Sequence, residues 1–149
     1  MKHKGSTFEY KEERDVDLLR AYREQIMRCD TIDLTEIFNK VVLMPSARFW
    51  VSEERAAIVI ARMFRGDKLE TMKTNTREMY EEIFKRVKDM KEKFPDMSLL
   101  DILFHVVRQP APKFYLTPDS AKVITTRIKR EQYKKVQKRL RHMFNMGGN

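Results

Sequence analysis

Apolar residues along this chain recur at helical rather than strand spacing. Val16, Leu19, Tyr22 and Ile26 predict a helix over 9–29. A shorter one follows over 33–43, opened by Asp33 with Glu36 behind it. Met44 to Val51 breaks the pattern, because Pro45 disfavours helix before it and Arg48-Phe49-Trp50-Val51 prefers extended backbone. Ser52 then caps a third helix to about Arg65, where Gly66 stops it. That helix is apolar on nearly every side, which predicts a central, buried position.

The same order returns. Met79, Ile83, Val87, Met90 and Phe94 keep helical spacing up to Pro95, and Ser98 starts a short helix. Pro110 and Pro112 stiffen a second break, and Thr117 caps a last helix with Pro118 in its first turn. Ala121, Ile124, Ile128, Val136, Leu140 and Phe144 predict one narrow apolar stripe along it, to about Phe144.

The recurrence is a true repeat at an offset of 65 residues, without a gap. Pro45-Ser46-Ala47-Arg48-Phe49-Trp50-Val51-Ser52 falls on Pro110-Ala111-Pro112-Lys113-Phe114-Tyr115-Leu116-Thr117. Upstream, Leu34, Ile37, Val41 and Val42 fall on Leu99, Ile102, Val106 and Val107. The expected fold is all-α: two tandem three-helix repeats, 8–68 and 73–144, packed together because two copies are too few for a self-supporting solenoid. A short linker lies around Gly66-Asp67-Lys68.

Charge sharpens this picture. The net charge is +9, and residues 122–142 hold nine cations against Glu131 alone, so that segment carries +8 and the rest +1. Such asymmetry is the footprint of a polyanion binder. Lys122, Arg127, Lys129, Arg130, Lys134, Lys135, Lys138 and Arg139 are the expected phosphate contacts. Arg48 beside Trp50, and Lys113 beside Tyr115, pair a cation with a ring, which suits base stacking or phosphate clamping. Phe49 and Phe114 read as core residues.

Other chemistry is thinly represented. Cys29 is the only cysteine and the three histidines are scattered, so no familiar zinc pattern exists. No glycine-rich phosphate loop, nucleophile elbow or HExxH motif is present, and neither an enzyme nor a cofactor is expected. The first residues lack an apolar signal core and no run approaches a membrane span, so a cytoplasmic protein without membrane contact is expected. Ten methionines are read as filling irregular core gaps.

The helix–break–helix units, 33–64 and 98–130, resemble the broad class of helix-turn-helix DNA readers. The segment pattern is also similar to short uncharacterised proteins of phages and mobile elements. The first resemblance implies that the third helix of each copy enters the major groove, with contacts from Arg55 in one copy and from Thr117 and Lys122 in the other. The break departs from that class, spanning about eight residues where three or four are usual. Together these features predict a DNA-binding protein of transcriptional regulation or mobile-element DNA handling, with RNA as another polyanion. In that reading the first repeat can also hold a protein partner; the alternative is a structural or adaptor protein whose repeated aromatic motifs bind a protein partner.

Overall fold

The computed structural model describes residues 10–147. The N-terminal stretch read for a signal core, the first two residues of the expected repeat 8–68 and the expected helix start at residue 9 lie outside them. Among the described residues there are six helices and no strand: α1 (Lys11–Arg28), α2 (Leu34–Val41), α3 (Glu53–Phe64), α4 (Thr74–Lys93), α5 (Leu99–Val106) and α6 (Pro118–Gly147). The predicted caps are in place. Asp33 accepts from the Thr35 and Glu36 amides, Ser52 from Arg55, Ser98 from Asp101 and Thr117 from Ser120. Gly66 ends α3 with φ +102°, a conformation that a side chain would strain.

The two repeats exchange their third helices. α3 packs against α4 and α5, whereas α6 packs against α1 and α2. The two hydrophobic clusters divide in the same way. One joins Phe49, Val59 and Ile60 to Ile83, Val87, Ile102 and Val106; the other joins Phe114, Ala121 and Ile128 to Leu18, Tyr22, Ile37 and Val41. Consecutive modules spanning 8–68 and 73–144 therefore do not describe the packing. The reason is the path of the chain: each break crosses to the other copy before its third helix begins.

The crossing point is built from paired hydrogen bonds related by the repeat offset. Ser46 and Ala111 bridge antiparallel, and the Phe49 amide donates to Val107 (2.9 Å) as the Phe114 amide donates to Val42 (3.1 Å). The breaks, expected to be extended, form only this isolated bridge among bends. One cause is local: the Val51 amide closes back on the Phe49 carbonyl at 3.0 Å. Tyr115 adds a left-handed residue at φ +57°.

Two further expectations change. α3 is not buried all round: Ala56, Val59 and Ile60 face the core, while Ile58 and Phe64 are about half exposed. The linker is more than a spacer, because Leu69 is fully buried in the cluster built on α3, α4 and α5. Asp67 holds it there by accepting from the Leu69 amide at 2.8 Å and from Arg62.

Candidate nucleic-acid interface

The basic helix α6 has two halves of different character. Its first half is part of the core: Ala121, Thr125 and Ile128 are buried and Ile124 half-buried against α1 and α2. From Lys129 to Asn145 every residue is exposed except half-buried Gln137. At about 1.5 Å per residue this distal half extends roughly 25 Å past the last core contact.

The candidate cations divide along that line. Arg127 donates to Asp15 of α1 at 2.7 Å, tying α6 to α1. Lys129 donates to the Tyr22 hydroxyl at 2.6 Å and sits over the same ring. Both are occupied by the fold. Arg130, Lys134, Lys135, Lys138, Arg139 and Arg141 stand on the exposed half and make no ion pair among the described residues. Lys122 is likewise exposed and unpaired on the first half, and Thr117 serves as the cap of α6.

The repeated cation–aromatic segments are turned inward. Arg48 donates to the carbonyls of Phe49 and Val51, both at 3.0 Å, and lies over the Tyr10 and Trp50 rings. Lys113 is paired with Glu78 at 2.7 Å and sits over Tyr115. Tyr115 stacks on Phe49 of the other repeat, and burial, helped by the negative charge of Glu82, pushes its phenol up to about 12. Arg55 is exposed on the first turn of α3. Arg48, Trp50, Lys113 and Tyr115 are thus engaged at the crossover, while Arg55 stays exposed on α3. The reading of Phe49 and Phe114 as core holds, at 1% and 5% exposure.

The helix-turn-helix expectation meets the same exchange. The short helix of each copy packs against the third helix of the other copy, not against its own.

No family model, curated protein or solved structure matches the chain.

Sequence reasoning missed the polar residues that lock the crossover. Asp17, only 6% exposed, accepts from the Ala47 amide at 2.8 Å and from Arg20, which also donates to Glu24 and to the Pro45 carbonyl. In the second copy Glu82 accepts from Arg86, which reaches the Pro110 carbonyl. The carboxylates share the repeat offset, but the arginines are displaced by one residue, so ungapped comparison pairs Arg20 with Lys85 and hides the relationship. Arg108, in the turn that follows α5, pairs with Glu53 at the start of α3. Burial alone would raise the Glu53 carboxyl, but its backbone amide, Arg108 and Tyr10 together hold it below the ordinary glutamate value.

Among the described residues, no helix is long and apolar enough to cross a membrane, and no group of three or more His, Cys, Asp or Glu side chains is placed to hold a metal ion.

Proposed function

We propose that this chain binds duplex DNA through the exposed half of α6, as a non-enzymatic protein of transcriptional regulation or mobile-element DNA handling. One observation carries the reading: six cations, Arg130, Lys134, Lys135, Lys138, Arg139 and Arg141, project from the body on one rigid element with no anionic partner among the described residues. A helix of that charge repels itself, and a polyanion relieves the repulsion while releasing its own counterions. The contacts go to phosphates, so they position the protein rather than read sequence. Lys122 and Thr117, at the start of α6, lie along the same helix as secondary contacts. The body supplies a rigid base from which α6 extends.

The test is a salt-titrated mobility assay with random duplex DNA. Changing Lys134, Lys135, Lys138 and Arg139 together to Gln is expected to lower affinity and to flatten the log–log salt slope by about 3–4, at roughly 0.9 per lost contact. Binding that is unchanged by the four substitutions removes the reading. Equal or tighter binding of single-stranded RNA transfers it to RNA.

A further inference from the structure

The apolar stripe of α6 is not one line. The residues facing the body are Ala121, Ile124, Thr125 and Ile128. Continued at helical spacing, that line runs into Glu131, Gln132, Lys135 and Arg139, all polar. A second line begins at Tyr133 and continues through Val136, Leu140 and Met143, with Phe144 beside it, rotated about a quarter turn from the first. These five side chains are between 48% and 78% exposed, so the fold itself does not cover them.

We propose that a second copy of this chain covers this line, through a parallel pairing of the two distal halves of α6. Three features single out this occupant. The spacing of three, four and three is that of a two-helix seam. The cations avoid the seam: Lys134, Lys135, Lys138 and Arg141 lie on the outer arc, and the positions beside the seam are Gln132, Gln137, Arg139 and Phe144. In a parallel, in-register pair each residue on one flank meets the residue five positions later on the other copy. Gln132 then meets Gln137, and Arg139 meets the face of Phe144, with no like charges opposed. An antiparallel pair would set Arg139 against itself. The quarter turn between the two lines also places the two bodies on opposite sides of the seam, where they do not collide. The product is a two-helix rod with its cations outward.

Two heptads form a weak seam, so the dissociation constant is expected near the micromolar range. The measurement is sedimentation equilibrium of the full chain without nucleic acid, from about 5 to about 500 μM. Raising NaCl from about 0.1 to 0.5 M is expected to strengthen pairing by screening the outer arcs, whereas it weakens binding to DNA. The two readings therefore fail independently. Leu140→Asp or Val136→Asp is expected to weaken pairing at least about 100-fold, since each removes an apolar contact from both copies. Thermal melting of the body should not move, because both positions lie beyond Ile128, the last buried residue among the described ones. In a Cys29→Ser background, Val136→Cys is expected to form a covalent dimer on oxidation, since a parallel seam sets the two positions face to face. A chain that stays monomeric throughout overturns the proposal, and so does one that remains dimeric with Leu140→Asp. A dimer that resists crosslinking at Val136→Cys overturns the parallel register. A monomer that instead binds vesicles of anionic phosphatidylglycerol assigns the stripe to a lipid surface and overturns it too.

Discussion

Ser46 and Ala111 exchange backbone hydrogen bonds in both directions, at 3.0 and 3.1 Å, and they are the same position of the two repeats. A reciprocal contact between equivalent residues is the signature of a two-fold axis. Here the axis is local and relates two halves of one chain, which clasp each other by trading their third helices.

The exchange predicts that neither half folds alone. Fragments cut in the linker, 1–70 and 71–149, each lack the third helix that completes their α1–α2 or α4–α5 pair. Each alone should show much reduced helicity by circular dichroism. Mixing them should restore the helical signal and a single cooperative melt. A first-half fragment that melts cooperatively as a monomer would contradict the exchange.

Phe49 and Phe114 each fill the core of the other repeat's helices. Phe49→Ala and Phe114→Ala should each destabilise the chain by about 3–5 kcal/mol, the usual range for emptying a buried aromatic site. Urea unfolding should show this for both substitutions. If Phe114→Ala left α1–α2 protected in hydrogen exchange, the assignment of Phe114 to that cluster would be wrong.

Thr125 is buried on the face of α6 that meets α1 and α2, and its hydroxyl has no hydrogen-bond partner among the described residues, whereas Ile60 occupies the equivalent position in the cluster of α3, α4 and α5. Thr125→Val keeps the shape and removes the stranded hydroxyl. It should stabilise by roughly 1–2 kcal/mol. The urea midpoint should rise with an unchanged slope.

Glu53 ties α3 to the turn after α5 through Arg108, and its carboxyl is held below the ordinary value of 4.5. A depressed acid favours folding above its unfolded value, and that contribution disappears as pH falls through the lower folded value. Stability should therefore decline on acidification below about 4.5 with a component that Glu53→Gln abolishes. The check is urea unfolding of both proteins at neutral and acidic pH; parallel pH curves would assign the component to another carboxylate.

Much of the fold was legible in the residues. Asp33, Ser52, Ser98 and Thr117 marked four helix starts because a cap is a local interaction, closed within three residues of chain. The buried phenylalanines were legible because each belongs to a duplicated motif in which the ring is kept. The locks Asp17–Arg20 and Glu82–Arg86 were not, since the arginine moves by one position while its carbonyl target stays the same. Leu69 was missed because it sits alone in a polar linker, outside any periodic run.

The sequence by itself determined that the chain is helical, that it says the same thing twice, and that its positive charge gathers at one end. Periodicity, caps and net charge are properties of short stretches and need no partner to be read. Which helices pack together was decided only in three dimensions, because α3 has the same apolar face whether it meets α1–α2 or α4–α5. The division of the cations was decided there as well. Arg127 and Lys129 look like their neighbours in the sequence, but α1 brings Asp15 and Tyr22 against them and leaves Arg130 to Arg141 facing solvent.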